Sequence, residues 1–201
     1  MGDQDDLVKD EDLRGKRVAV LMTDGVEQAE YTGTRRFLEQ NGVRVTLVSP
    51  KGAGAEVQGM NHGQPGDKFR VELGLAEARV ADFDALVLPG GEENPRRLRQ
   101  DPAAIAFIKE FDEADKPIAA ICHGPWPLIE AGIAESRHLT SYPAIKDDLV
   151  NAGAEWTDDE VVVDGKLITS RKPDDIPAFN DALLKELMVI QQAGADPGPT
   201  S

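Results

Sequence analysis

The chain has 201 residues, 40% of them apolar and 29% charged, which is typical of a globular protein with a sizeable core. Its formal net charge of −15 disfavours nucleic acid and membranes as partners, because phosphate-rich surfaces attract Lys and Arg. One cysteine, Cys122, excludes an internal disulfide, and the three histidines show no metal-site spacing, so we expect neither a metal nor another cofactor.

The two ends of the chain differ from its body. Residues 1–15 are rich in acidic side chains and residues 192–201 in Gly and Pro, so both would bury little surface. We predict an acidic N-terminal extension, one domain over 16–191 and a flexible C-terminal tail. No stretch resembles a signal peptide or approaches the roughly 18 apolar residues of a transmembrane helix, which favours a cytoplasmic protein.

Apolar runs alternate with helical patterns through most of the domain. Strands are predicted at 17–22, 43–50, 83–91 and 117–122, and helices at 27–42, 102–115 and 124–132. Strands that are unbroken apolar runs, separated by helices, indicate a parallel sheet that is covered on both faces. The sequence therefore predicts an α/β sandwich.

Three further segments follow other patterns. Polar and apolar residues alternate around Gly and Pro over 55–73, which predicts a hairpin or an irregular flap. Asp164-Gly165 lies between β-rich runs within 155–171, which is a strong hairpin signal. The segment 175–192 has the apolar spacing of an amphipathic helix that closes the fold.

Cys122 ends the apolar strand of the segment KPIAAICHGPWPLIEAG (116–132). A strand that ends there and enters a helix within two residues would place the cysteine on a tight turn at the carboxyl edge of the sheet, as nucleophile elbows do. The N-terminus of the following helix would favour the thiolate, and His123 is adjacent. A buried, unreactive cysteine is the alternative that these residues leave open.

Several motifs occur together in one order: DGVEQAEYTG (24–33), LVLPGG (86–91), AAICHGPW (119–126) and a stretch from LTSYPAIKDD (139–148) to LITSRKPDD (167–175). They resemble the PfpI-type intracellular proteases, within the parkinsonism-associated deglycase superfamily, whose fold is related to class I glutamine amidotransferases. The similarity extends from about residue 16 to about residue 191. It implies a flavodoxin-like three-layer sandwich, with a mostly parallel central sheet and a reactive cysteine on a nucleophile elbow.

The resemblance also implies roles for residues around the sulfur. Glu27 matches an acidic residue that hydrogen-bonds the cysteine in related proteins, so that each group shifts the titration of the other. Gly90 and Gly91 end the third strand without side chains. The N–H groups of Gly91 and His123 would form an oxyanion hole, or would bind the oxygen of an oxidised Cys122.

Two aromatic residues and two histidines complete the candidate set. Tyr142 matches a family tyrosine near the cysteine that can donate a hydrogen bond, although a half-buried structural role fits the sequence equally well. Trp126 is predicted to line the pocket or an interface, or else to pack in the core. His62 and His138 are assigned solvated or structural hydrogen-bonding roles.

In PfpI-type proteases the histidine after the cysteine is the catalytic base, and its acidic partner comes from a neighbouring subunit shortly after the Pro-Gly-Gly turn. The corresponding stretch here is PGGEENPRRLR (89–99), with Arg96 at the position of that acid. A positive charge cannot orient or stabilise an imidazolium as a carboxylate does, so proteolysis is disfavoured. Glu92 or Glu93 could substitute, but at a different offset.

The function that we expect is attack on reactive aldehydes such as methylglyoxal, or repair of glycated groups. This chemistry needs a thiolate, a proton shuttle and a small pocket, and Cys122, Glu27 and His123 could supply the reacting groups. The alternative is a non-catalytic stress sensor or scavenger, in which Cys122 is oxidised without a second cysteine to resolve it. The substrate would be a small aldehyde or a modified protein or peptide, and the family implies a homodimer that can assemble into a hexamer.

Overall fold

The computed structural model describes residues 13–195, in which strands and helices follow one another along the chain. The strands are β1 (Arg17–Leu21), β2 (Val26–Glu27), β3 (Arg44–Ser49), β4 (Glu56–Asn61), β5 (Gln64–Arg70), β6 (Leu73–Gly74), β7 (Ala85–Leu88), β8 (Ile118–Ile121), β9 (His138–Leu139), β10 (Glu155–Trp156), β11 (Val161–Asp164) and β12 (Leu167–Ser170). The α-helices are α1 (Gln28–Gln40), α2 (Glu93–Arg99), α3 (Pro102–Glu113), α4 (Lys146–Asn151) and α5 (Ile176–Ala195).

The central sheet has the strand order β11-β12-β8-β7-β1-β3-β6. Its neighbours pair in parallel except at one edge, where β11 runs antiparallel to β12. The register pairs Leu88 of β7 with Ala120 of β8, so the carboxyl ends of these two strands lie side by side. The loops that follow them, which carry the Pro-Gly-Gly turn and Cys122, therefore meet at one edge of the sheet.

Both faces of the sheet are covered. Along β1, Val18 and Val20 belong to one buried cluster, whereas Ala19 and Leu21 belong to another. The first cluster contains the buried faces of α1 and α5, and the second contains those of α2, α3 and α4. Because alternate residues of a strand point to opposite faces, this division places one helical layer on each side. The predicted flavodoxin-like three-layer sandwich, with its mostly parallel sheet, is confirmed.

Both predicted hairpins form. Strands β4 and β5 pair antiparallel over the segment 55–73, and β2 joins them to make a small second sheet. The turn between them contains His62, which has a φ of 48°. Strands β11 and β12 pair around Gly165, whose φ of 59° suits the tight turn. The first hairpin brings its turn to the side of the sheet edge where Cys122 lies.

The prediction of a helix at 124–132 is wrong. This segment contains only a short 3₁₀ helix, Trp126–Leu128, with hydrogen bonds from Trp126 N–H to the His123 carbonyl and from Leu128 N–H to the Pro125 carbonyl. Pro127 has no N–H and therefore cannot donate to a carbonyl one α-helical turn earlier. Cys122 is thus not followed by an α-helix, and no helix dipole is available there to favour its thiolate.

The ends of the described region extend slightly beyond the predicted domain. Leu13, which the sequence analysis placed in the N-terminal extension, is fully buried in the same cluster as Val18. Helix α5 continues to Ala195, into the predicted tail. Residues 1–12 and 196–201 lie outside the described part of the chain. Within that part, no helix combines the length and the apolar character that crossing a bilayer requires.

Candidate active site around Cys122

Cys122 lies on a sharp turn directly after β8. Its φ is 65°, a left-handed conformation that is unfavourable for a residue with a side chain. The turn is held by hydrogen bonds from Cys122 N–H to the Ser170 carbonyl (3.1 Å) and from Tyr142 N–H to the Cys122 carbonyl (2.8 Å). The predicted nucleophile elbow is therefore confirmed.

Two glycines make room for the elbow. A Cβ atom on Gly90 would lie 2.6 Å from Cys122 Cβ, and one on Gly124 would lie 2.2 Å from the Leu88 carbonyl oxygen. Real Cβ atoms do not approach so closely, so side chains at these positions would displace the loop or the turn. Gly90 allows close packing at the site, and its backbone N–H donates a hydrogen bond to Glu30.

The sulfur lies among backbone donors. The N–H groups of Gly91 and His123 lie close enough to the Cys122 thiol to lower its pKa, and His123 Nδ1 is 3.3 Å from Sγ. The structure thus brings together the two N–H groups that the resemblance implied for an oxyanion hole. Only 7% of Cys122 is exposed, so the sulfur is reached through a cavity and not from open solvent.

The acidic residue beside the sulfur is Glu30, and the prediction of Glu27 in that role is wrong. Glu30 is fully buried in α1, accepts a hydrogen bond from Gly90 N–H at 2.8 Å and lies close enough to Cys122 for each group to shift the pKa of the other. The second carboxyl oxygen, Glu30 Oε2, is buried and has no hydrogen-bond partner among the described residues. Glu27 instead accepts a hydrogen bond from His62 N–H at 3.2 Å, on the wall of the cavity.

Burial governs the titration of this pair. Burial raises the pKa of Glu30 to about 8; the Gly90 N–H opposes this shift and the charge of Glu27 adds to it. Burial also raises the pKa of the Cys122 thiol, as does the charge of an ionised Glu30, against the lowering effect of the Gly91 and His123 N–H groups. The predicted depressed pKa is thus contradicted. At neutral pH the resting site holds a carboxylic acid next to a thiol.

His123 lies between the sulfur and two aromatic rings. Its imidazole stacks on Tyr142, with ring centroids 4.8 Å apart, and lies 6.1 Å from Trp126. Burial lowers the pKa of His123, and the charge of Glu92 opposes that effect. His123 is therefore neutral at neutral pH and can accept a proton.

Tyr142 and Trp126 have supporting positions. Tyr142 is 41% exposed and lines the cavity, and it is the backbone N–H of this residue that bonds the elbow. Trp126 Nε1 donates to Asp148 Oδ2 at 2.9 Å, and the Arg99 guanidinium lies 4.5 Å from the centre of its ring. Trp126 therefore stands behind His123 and packs partly against the core, without lining the cavity.

The cavity above Cys122 has a volume of about 330 Å³. Its walls come from α1, the β4–β5 turn, the loop after β7, the elbow and the segment after Tyr142, and its lining residues are Glu27, Glu30, His62, Gly91, Glu92, Cys122, His123, Tyr142, Ala144 and Pro173. A second cavity of about 530 Å³ adjoins it and shares Glu27, Gly91 and Glu92 as lining residues. His62 thus reaches the site, whereas His138 contacts Thr157 Oγ1 at 2.9 Å and is structural.

The charged residues after Gly91 are Glu92, which precedes α2, and Glu93 and Arg96 within it. Arg96 lines the second cavity and is paired with Glu93, which also accepts a hydrogen bond from Arg97 Nε at 3.0 Å. The charge of Arg96 is therefore largely offset by its neighbour. Glu92 lines both cavities.

Asn94 is a site residue that sequence reasoning missed. It is fully buried, accepts a hydrogen bond from Thr23 N–H at 2.7 Å and donates from Nδ2 to the carbonyls of Pro89 and Gly90, each at 3.1 Å. It thereby fixes the loop that positions the Gly91 N–H. An amide directly before a proline, three residues after the Gly90-Gly91 turn, was the available signal.

Comparisons with known proteins agree with this arrangement. Residues 16–186 match the model of the DJ-1/PfpI family. A Bacillus subtilis (strain 168) protein, YraA, whose name assigns it provisionally to the cysteine proteases, is 42% identical over 165 residues, which cover 82% of this chain and 94% of that protein. A Pyrococcus abyssi protein named as a deglycase is 41% identical over 171 residues, which cover 85% of this chain and 99% of that one.

Solved structures show the same fold. DJ-1beta of Drosophila melanogaster superposes with a TM-score of 0.78 at 30% identity, over 89% of this chain and 96% of that one. A two-domain protein of Anabaena variabilis, with a DJ-1/ThiJ/PfpI-like and a ferritin-like domain, superposes with a TM-score of 0.81 at 35% identity. The match covers 86% of this chain but only 48% of that longer protein.

Proposed function

Because the chain belongs to the DJ-1/PfpI family and its elbow cysteine faces a buried carboxyl, we propose that it acts on reactive aldehydes or on the groups that they modify, with Cys122 as nucleophile. The observation that carries this proposal is the Cys122–Glu30 pair at the base of a cavity, with two N–H donors on the sulfur. The deglycase name of the Pyrococcus abyssi relative supports the same reaction class.

Each reacting group has a task in this chemistry. The sulfur attacks the aldehyde carbon and forms a C–S bond, while the thiol proton passes to His123 Nδ1, 3.3 Å away. The carbonyl oxygen becomes an oxyanion that the Gly91 and His123 N–H groups can stabilise, and it then takes up a proton to give a hemithioacetal.

With a dicarbonyl such as methylglyoxal, Glu30 in its ionised form would take the proton from the carbon that bears the sulfur and return it to the neighbouring carbon. The hemithioacetal hydroxyl loses its proton to become the thioester carbonyl, and the neighbouring carbonyl oxygen gains one to become a hydroxyl. The raised pKa of Glu30 suits this task, because a carboxyl that titrates near neutrality can both accept and return a proton. Water then cleaves the thioester, restores the Cys122 thiol and releases a hydroxy acid. The net reaction adds one water to methylglyoxal and yields lactate, so no external oxidant or reductant is needed.

The test compares wild type with Cys122→Ala for consumption of methylglyoxal and formation of lactate. We expect turnover by the wild type and only the uncatalysed background in the variant. The matched control is Ser136→Ala, a surface substitution outside the cavity, which should retain wild-type turnover. Equal turnover by wild type and Cys122→Ala would refute the proposal. The same pair of proteins should be assayed on a methylglyoxal-treated amine, to separate free aldehydes from glycated groups.

The adjoining cavity supports substrates larger than a three-carbon aldehyde. It shares three lining residues with the Cys122 cavity, and its volume of about 530 Å³ is the larger of the two. An aldehyde-modified side chain could place its adduct at Cys122 and the rest of its structure beyond Gly91. Faster turnover of a modified peptide than of free methylglyoxal would favour this larger class.

Oxidation sensing is a second candidate, and the two N–H donors on the sulfur favour it. The Gly91 and His123 N–H groups could hold a sulfenate or sulfinate oxygen as well as an oxyanion. Cys122 is the only cysteine of the chain, so no internal disulfide can form. Mass spectrometry after treatment with mild peroxide tests this role. Uptake of one or two oxygens at Cys122, without turnover of any aldehyde, would favour it.

Proteolysis receives less support, although the relative YraA carries a protease-type name. Arg96 occupies the position at which the resemblance implied an acid, and it is paired with Glu93. We expect little or no Cys122-dependent hydrolysis of casein. Self-association into a homodimer or hexamer is a separate proposal, which light scattering coupled to size exclusion tests directly.

A further inference from the structure

Glu92 occupies a distinctive position in the site. It directly follows Gly91, whose N–H contacts the Cys122 sulfur, and it lines the same cavity as His123. It precedes the first residue of α2, yet its side chain makes no capping hydrogen bond with that helix. Its carboxylate is therefore not used to stabilise the helix.

The other acidic groups near the site are already engaged. Glu93 binds Arg96 and Arg97, Glu27 accepts the His62 N–H, and Glu30 is buried against Gly90 and Cys122. Among residues 13–195, no ion pair includes Glu92. The remaining titratable groups around the cavity are His62 and Tyr142. Glu92 is thus the acid at this cavity that forms no ion pair among the described residues, and its charge acts on the Arg96 guanidinium as well as on His123.

We propose that Glu92 is the positioning residue for His123, so that the acid which supports the Cys122-His123 pair comes from the same chain. When His123 takes the thiol proton it becomes an imidazolium, and a carboxylate at the cavity wall stabilises that charge. The interaction of Glu92 with His123 already opposes the effect of burial on the imidazole. The acid at the Arg96 position is therefore not required, and Glu93 keeps the Arg96 guanidinium occupied. This inference rests on the proposed nucleophilic role of Cys122.

The first test does not depend on turnover. The imidazole of His123 is titrated by NMR in wild type, Glu92→Gln and Glu110→Gln, with the three histidine signals assigned by single substitutions. Glu110 is an exposed acid of α3 outside the cavity, so its substitution makes the same change in charge. We expect the His123 midpoint to fall by about 0.4 pH units in Glu92→Gln, as for a unit charge several ångströms away in water. No shift, or an equal shift in Glu110→Gln, would overturn the inference.

The second test measures Cys122-dependent methylglyoxal turnover against pH in the same proteins and in Glu92→Asp. We expect a loss of about tenfold in kcat for Glu92→Gln with little change in KM, partial recovery in Glu92→Asp, and wild-type turnover in Glu110→Gln. A merely structural role of Glu92 would leave the pH profile unmoved, and that result would overturn the inference. If wild type does not consume methylglyoxal, the proposed function fails while the NMR titration still decides the role of Glu92.

Discussion

Glu30 links the loop after β7 to the elbow after β8, because its carboxyl accepts the Gly90 N–H at 2.8 Å and its charge acts on the Cys122 thiol. A single buried acid on α1 therefore holds the oxyanion-hole loop and adds to the effect of burial on the pKa of the nucleophile. Three elements that are distant in the sequence depend on this one side chain. The properties of the site should accordingly respond more strongly to Glu30 than to any other acid of the cavity.

The Cys122 pKa should fall in Glu30→Gln. The negative charge of ionised Glu30 raises the pKa of the thiol, and glutamine removes that charge while keeping an oxygen for the Gly90 N–H. We expect a decrease of about one unit, which gives about tenfold more thiolate and faster iodoacetamide alkylation above pH 8. Glu27→Gln is the control, with a smaller effect, since Glu27 contacts the His62 N–H. A larger shift in Glu27→Gln would return the role to Glu27.

Folding stability should decrease with rising pH because of Glu30. Its pKa is about 8 in the folded chain and about 4.5 when exposed, so between these values the folded state binds one more proton than the unfolded state. The stabilisation is complete below pH 4.5 and is lost as pH rises towards 8, by at most about 1.4 kcal/mol per pH unit.

Urea unfolding of wild type and Glu30→Gln at several pH values isolates this contribution, because other groups titrate alike in both proteins. We expect the stability of wild type relative to Glu30→Gln to decline from acidic to neutral pH. A difference that stays constant over this range would show that Glu30 titrates normally.

Gly90→Ala should destabilise the fold and disturb the site. The added Cβ would lie 2.6 Å from Cys122 Cβ and 2.8 Å from the Ile121 carbonyl oxygen, and neither neighbour can move freely. We expect a loss of about 2 kcal/mol in the free energy of unfolding, with reduced Cys122 reactivity. Gly33→Ala in α1 is the control, because its Cβ would meet Ile176 Cγ2 at an ordinary 3.5 Å, and helix propensity predicts a gain of about 0.5 kcal/mol. Equal stability of the two variants would contradict the packing argument.

Asn94→Asp should lower the free energy of unfolding strongly, although the two side chains are almost equal in size. The amide Nδ2 donates to the Pro89 and Gly90 carbonyls, and a carboxylate would place charge against both of these acceptors in a buried position. We expect a loss of about 3 kcal/mol by chemical denaturation, together with lower methylglyoxal turnover. In Asn41→Asp the lost bond, to the Phe37 carbonyl, is only partly buried, so the cost should stay below about 1 kcal/mol. Comparable costs at the two positions would show that the Asn94 hydrogen bonds matter little.

Three strands of the central sheet could be predicted closely from the sequence, whereas the run at 83–91 extends two and three residues beyond the ends of β7. The apolar runs at 17–22, 43–50 and 117–122 correspond to β1, β3 and β8 with differences of one residue at their ends. Burial on both faces leaves a continuous apolar pattern that polar neighbours do not obscure. The predicted helix at 124–132 failed because the apolar spacing was compatible with a helix, whereas two prolines remove the N–H groups that an α-helix needs there.

The position of the site acid could not be predicted in the same way. Glu27 directly precedes α1 and Glu30 lies in its first turn, so the sequence places both carboxyls at the same end of the helix. Which carboxyl reaches the sulfur depends on where the Gly90 loop crosses, and that is a long-range contact. The sequence signal that favoured Glu30 was an acidic residue on the apolar face of an amphipathic helix. Acidic side chains are rarely buried without a partner.

Because the chain has a single cysteine, a spectroscopic probe can be attached selectively at the elbow. Any maleimide dye or isotopic methyl tag will attach at one atom of this protein, without the usual removal of competing thiols. Since only 7% of that residue is exposed, bulky probes will react no faster than the surrounding loops separate. Labelling kinetics with probes of graded size would therefore measure how often, and how widely, the loops around Cys122 open.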